Sequence, residues 1–138
     1  MAHAGVRMVC VAVTEPLSDR KHVYRGAPRS VIFRALTDHR VGWLRRALHP
    51  GEVVPDVLES IPNERVVWSS FWPSSPGDTI EFTLSESRGD TTLRLQWFST
   101  TPPDERGIGI TRQRLNTKLG GDIRGWLAGD EAWQPRPQ

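Results

Sequence analysis

Hydrophobic positions along the chain follow two periods. Between Thr101 and Gly129, Leu115, Leu119, Ile123 and Trp126/Leu127 recur every three or four residues, and Ile108 continues the series two turns earlier. This is one face of a helix. Arg112, Gln113, Asn116, Lys118 and Arg124 fall on the other side, where water is expected. Thr101-Pro102 reads as an N-cap followed by proline at the first helical position, with Asp104 and Glu105 in the first turn and Gly129 at the C-terminus. At 1.5 Å per residue the helix would be about 40 Å long, enough to cross a small domain. Its apolar stripe needs a cover.

From Glu52 onward the period is two. In Thr79–Ser85, Ile80, Phe82 and Leu84 point one way and Glu81 and Thr83 the other. In Thr91–Thr100, Leu93, Leu95 and Trp97 share a face opposite Thr92, Arg94 and Gln96, and Arg88-Gly89-Asp90 supplies the hairpin turn between the two strands. Arg65–Phe71 predicts a further strand, after a turn at Ser60–Glu64 and before a loop over Trp72–Asp78; Val53–Leu58 is strand material broken at Pro55. Strands with one apolar face each need a partner layer, and the C-terminal helix has the matching stripe.

Upstream, Val6–Val13 is rich in β-branched residues and reads as a buried strand, Glu15–Arg20 as a loop, and Lys21–Arg25 as a second short strand or the continuation of an interrupted one. Pro28 opens a helix whose apolar face is Val31, Ile32, Ala35 and Leu36. Thr37-Asp38 then caps a second short helix carrying Val41, Leu44 and Leu48, with Trp43 beside the stripe, and His49-Pro50-Gly51 stops it. The fold class is therefore α+β: an antiparallel sheet against one long C-terminal helix, with two short helices after the first strand.

Composition narrows the function. The 138 residues suit a single domain, residues 1–138, and six tryptophans can build a substantial core. Residues 1–50 carry nine Lys/Arg against three Asp/Glu, whereas residues 51–138 carry nine against thirteen. The basic half suggests an acidic partner, but there is no basic run interleaved with aromatics, so nucleic acid is disfavoured. Cys10 is the single cysteine, which rules out an intramolecular disulfide and a cysteine metal cluster and fits a cytoplasmic setting. The four histidines lack metal-ligand spacing, so no metal is expected. Gly107-Ile108-Gly109 lacks the third glycine of a dinucleotide fingerprint, so no cofactor is expected either. Val6–Val13 is too short to span a membrane.

Three segments carry a family resemblance. Ala27-Pro28-Arg29-Ser30-Val31-Ile32-Phe33-Arg34-Ala35-Leu36-Thr37-Asp38 resembles the opening of the START-like (SRPBCC) superfamily, A-P-x-x-V-(F)-x-A-L-T-D, with one extra residue before Phe33. Glu59-Ser60-Ile61-Pro62-Asn63-Glu64-Arg65-Val66-Val67-Trp68-Ser69-Ser70 resembles its E-x-x-P-x-E-R-L-V-W-S-S segment, and Asp90-Thr91-Thr92-Leu93-Arg94-Leu95 its G-T-x-L-x-L strand. The superfamily includes polyketide cyclase/dehydrase-like and chaperone-ATPase-activator-like proteins. The resemblance implies a helix-grip fold, a curved antiparallel sheet around the long C-terminal helix, with its core at about residues 21–128 and tails at 1–5 and 130–138. Two departures and one addition stand out. Only about twenty residues separate Trp43 from Glu64, where the family commonly has a longer hairpin, which implies a small or partly filled pocket. Gly107-Ile108-Gly109 stands where an aromatic is often found, and Val6–Val13 is an addition, either an edge strand or a dimer contact.

A sheet curled around a helix leaves a concave gap, the usual place for a ligand. Candidate ligand-binding residues on its walls are Trp43, Trp68, Phe82, Trp97, Leu115, Leu119 and Trp126, which would serve equally as plain core. Glu59 and Arg112 are the charged candidates: turned inward, the guanidinium would pair with the carboxylate or hold an acidic ligand. His39 and His49 flank the second short helix as candidate acid–base groups. Gly120-Gly121 and Gly125 weaken the helix and suggest either a close approach or a bent last turn. The expected function is binding of a small hydrophobic or amphipathic molecule, with cyclase- or dehydratase-like activity implied by one branch of the family. The rival is a protein-interaction module, with a protein partner or a homodimer.

Overall fold

Alternating buried and exposed positions order five strands in the computed structural model, which describes residues 15–129. The expected strand Val6–Val13 and the tail 130–138 lie outside the described residues. The strands are β1 (Ser18–Tyr24), β2 (Val57–Ile61), β3 (Arg65–Trp68), β4 (Thr79–Ser87) and β5 (Asp90–Phe98), forming one curved sheet in the order β1-β5-β4-β3-β2, antiparallel throughout. β4 and β5 pair from Thr79↔Phe98 to Ser87↔Asp90. Arg88 (φ 55°) and Gly89 (φ 83°) make the two-residue turn, whose positive φ values match strand twist.

Strand limits differ from the sequence expectation where pairing overrides pattern. β1 begins at Ser18, inside the expected loop, because it zips onto β5 from Ser18↔Trp97 to Tyr24↔Thr91, clamped by Arg94 Nη2 to Asp19 Oδ2 at 2.6 Å. β3 stops at Trp68, three residues before the expected end. Ser70 Oγ accepts from the Trp72 N–H at 2.9 Å and donates to the Trp72 carbonyl at 3.0 Å, and this local turn takes the backbone out of the ladder.

After β1 come α1 (Arg29–Thr37), a 3-10 turn (His39–Val41) capped by Asp38, and α2 (Trp43–Ala47). The C-terminal helix runs as α3 (Glu105–Thr117), a π turn (Lys118–Asp122) and α4 (Ile123–Leu127). It starts three residues later than expected: Asp104, not Thr101, is the cap, its carboxylate accepting the Gly107 N–H at 2.8 Å. Gly107 itself must be small, because a Cβ there would lie 2.8 Å from the Pro103 Cβ. At the other end, Gly129 (φ 69°) donates to the Trp126 carbonyl.

Leu115, Leu119 and Ile123 are fully buried with Phe82 and Leu95 in one core, to which α1 adds Ile32, Ala35 and Leu36. The helix therefore lies in the grip of the sheet. Within the π turn the Ile123 N–H bonds the Lys118 carbonyl, and the buried Tyr24 hydroxyl donates to the Leu119 carbonyl at 2.6 Å, so β1 stabilises the irregular turn.

Candidate functional site

The middle of the helix–sheet gap is packed. Trp43, Trp68, Phe82, Leu115 and Leu119 are all fully buried in the common core. Trp43 and Trp68 place their indole N–H groups 2.8 Å from the carbonyls of Ala35 and Leu36. The Trp68 ring meets Phe82 edge-on at 4.6 Å and Phe71 at 5.5 Å. Buried indoles with their N–H satisfied by backbone are packing groups with a fixed orientation.

The gap opens at one end. Between the loop after β3, the end of β5 and the first turns of α3 lies a cleft of about 450 Å3, lined by Trp72, Ser74, Ser75, Asp78, Trp97, Thr101, Pro103, Gly107, Ile110, Thr111 and Arg114. Half-buried Trp72 and, behind it, the core residue Trp97 form its aromatic wall, with ring centroids 6.0 Å apart and planes at 59°. Asp78 is buried beneath them, taking the Trp97 N–H at 3.0 Å on one oxygen and the Ser75 hydroxyl at 2.7 Å on the other. Pro102-Pro103 keep the chain extended before the helix, so that Gly107, Ile110, Thr111 and Arg114 form the opposite wall at helical spacing.

Behind the cleft is a buried ion pair. Lys118 Nζ lies 2.9 Å from Glu52 Oε1, and each side chain is only 1% exposed. The other Glu52 oxygen receives the Trp72 indole N–H at 3.3 Å and lies 4.0 Å from Arg114, while the His49 N–H donates to Oε1 at 2.8 Å. Burial alone would push the Glu52 carboxyl up. The His49 N–H and Lys118 outweigh that and hold it below its ordinary range. Asp122, at the end of the π turn, is raised by burial against the opposing pull of Lys118 and His49. The sequence pattern placed Lys118 on the watery side. The structure corrects this: the residue is three positions beyond Leu115 and next to Leu119, and so shares their stripe. Its ammonium also sits 5.2 Å from the Phe71 ring centre.

Of the nine residues singled out from sequence, only Trp97 lines the cleft. Trp126 packs half-buried against the core and is not among the lining residues. Glu59 and Arg112 are not brought together. Glu59 meets Arg65 at 3.5 Å on the sheet, and Arg112 Nε donates to the Leu17 carbonyl at 2.6 Å. His39 packs against Trp68 at 6.1 Å, burial holding its imidazole below its ordinary range, and His49 contributes its backbone N–H to Glu52. A Cβ at Gly120 would meet the His22 ring of β1 at 3.5 Å, an ordinary contact distance, and one at Gly121 would meet open space, so no close approach demands glycine at either position. Trp72, Asp78 and Arg114 were missed. Trp72 and Asp78 lie in a loop with no period, and Arg114 has nothing in sequence to distinguish it from its neighbours.

A larger groove of about 700 Å3 lies between the start of α1 and β2–β4. Its arginines are already engaged, Arg29 with Glu86 and Arg65 with Glu59 and Glu81, and it has no aromatic wall. Among the described residues Arg88, at its rim, is the exception. The cleft at the helix is the better candidate.

No family model and no curated protein matches the sequence. Solved structures do match. CalU16 from Micromonospora echinospora superposes with a TM-score of 0.63 at 21% identity, over 86% of this chain and 76% of that one. The chain has the helix-grip fold. Two further helix-grip structures match: the Aha1 dimer from Colwellia psychrerythraea (TM-score 0.57, 18% identity, 80% of this chain and 96% of that one) and an HSP90 activator from Plasmodium falciparum (0.58, 16%, 80% and 93%). At such identities the shared property is the fold.

Proposed function

We propose that the protein binds a small hydrophobic or amphipathic molecule in the cleft between the loop after β3 and α3. The carrying observation is a space of about 450 Å3 with two indole rings on one wall and convergent hydroxyl, carboxylate and guanidinium groups. That volume and lining are those of small-molecule sites. Apolar area removed from water supplies the affinity, at about 25 cal/mol per Å2, and the polar groups set orientation. Both Asp78 oxygens and the Glu52 carboxylate are already hydrogen-bonded, which favours binding over proton transfer. A cyclase-like role would then rest on orienting the substrate. Tryptophan fluorescence titration with a panel of aromatic and lipid-like compounds tests the reading. Saturable quenching that Thr111→Phe abolishes by filling the cleft is expected; no response across the panel contradicts it.

A second reading is favoured by the sheet edge. Among the described residues β2 pairs only with β3, and Val53, Leu58 and Ile61 are exposed on or beside it. An extended segment of a partner would add to that edge. Two solved neighbours are described as an HSP90 activator and an Aha1 dimer, in keeping with protein contacts. Solution mass and cross-linking of wild type against Leu58→Lys/Ile61→Lys test it: association lost in the variant supports this reading, and association unchanged removes it.

A further inference from the structure

We infer that the cleft selects a ligand with a carboxylate beside its flat apolar body, and that Arg114 is the residue that reads it. This rests on the ligand-binding reading and names the ligand class. Two cations approach one buried carboxylate, Glu52, and they do so unequally. Lys118 is in hydrogen-bonded contact at 2.9 Å and inaccessible at 1%, whereas Arg114 stands off at 4.0 Å with its side chain 40% exposed and lines the cleft. Glu52 is further occupied by the His49 and Trp72 N–H groups. Lys118 thus satisfies Glu52 and leaves the guanidinium fork of Arg114 available to the cleft, next to the Trp72 ring that shares the same carboxylate. A guanidinium takes a carboxylate through two parallel hydrogen bonds, and does so best in a partly desolvated site. Asp78 lies in the same cleft with both oxygens committed to neutral donors. Its charge disfavours a dianion, so a monocarboxylate fits better than a phosphate.

The test is calorimetric titration with naphthalene-2-carboxylate and naphthalene-2-carboxamide, two probes of the same shape that differ in charge, at neutral pH and low salt. Wild type is expected to bind the carboxylate about tenfold more tightly than the amide. Arg114→Gln is expected to bind both probes equally. Arg114→Lys, which keeps charge but loses the fork, is expected to keep part of the preference and stands in if the glutamine variant fails to fold. Equal binding of both probes by wild type, or a preference that survives in Arg114→Gln, overturns the inference while leaving the binding site intact. Binding of neither probe overturns the inference together with the reading beneath it.

Discussion

The middle of the helix–sheet gap and its open end are built from similar residues and behave differently. In the middle, Trp43 and Trp68 turn their N–H groups onto helix carbonyls and fill space with Phe82, Leu115 and Leu119. At the open end, Trp72 and Trp97 turn theirs onto carboxylates, Glu52 and Asp78; Trp72 is half-buried, whereas Trp97 is 1% exposed and borders the cleft from within the core. An indole whose N–H is held by a rigid backbone carbonyl is locked into the core. One held by a side-chain carboxylate sits where polar groups have been admitted and the sheet has not closed on the helix. Tryptophan content alone therefore does not separate the middle of the gap from its open end; the partner of the ring nitrogen does.

Truncations in the middle and at the open end should separate stability from binding. Trp68→Ala removes a fully buried ring touching Phe71 and Phe82 and is expected to cost about 3–5 kcal/mol in denaturant unfolding. Trp72→Ala, at a half-buried ring, is expected to cost about 1–2 kcal/mol, yet to lose most ligand affinity. Equal stability losses would erase the distinction between the middle and the open end.

The buried pair offers the next largest effect. Lys118→Met leaves the Glu52 carboxylate buried without its close cation, an expected cost of about 3 kcal/mol, and Glu52→Gln added to it should recover more than half. Additive losses in the double variant would mean that the pair does not act as a unit.

Acid titration gives the smallest and most specific effect. Glu52 is held below its ordinary 4.5, so its contribution is full above that pH and is lost as pH falls through the lowered value. His22 and His39, lowered from 6.5 mainly by burial, act in the same direction but begin to cost stability below pH 6.5. Asp122, raised by burial, acts the other way. Glu52→Gln should therefore flatten the fall in unfolding free energy below pH 4.5 and leave the fall near pH 6 unchanged.

The periodic parts of the fold were legible in sequence. Ile80-Phe82-Leu84, Leu93-Leu95-Trp97 and the stripe Leu115-Leu119-Ile123 announce which faces meet, because burial imposes periods of two and 3.6 directly on residue choice. Boundaries were less legible. Thr101 and Asp104 both qualify as caps, and the tight packing of Gly107 on Pro103 goes with the second. The site was least legible of all. Lys118 carries a charge that pattern reading sends to water, and only the placement of Glu52 beside it accounts for its burial. Trp72, Asp78 and Arg114 come from a loop and an unremarkable helix position, and tertiary folding alone brings them to one cleft. The same pattern logic that found the core assigned the core tryptophans to the site, since a wall and a filling look alike along a strand.

The indole N–H resonances of the protein test the account most directly. In two-dimensional 1H–15N spectra, addition of naphthalene-2-carboxylate should move the signals of Trp72 and Trp97, whose N–H groups meet Glu52 and Asp78, and leave those of Trp43 and Trp68 in place. Movement of the Trp43 and Trp68 signals with Trp72 and Trp97 unchanged would place the ligand in the packed middle of the gap and contradict it.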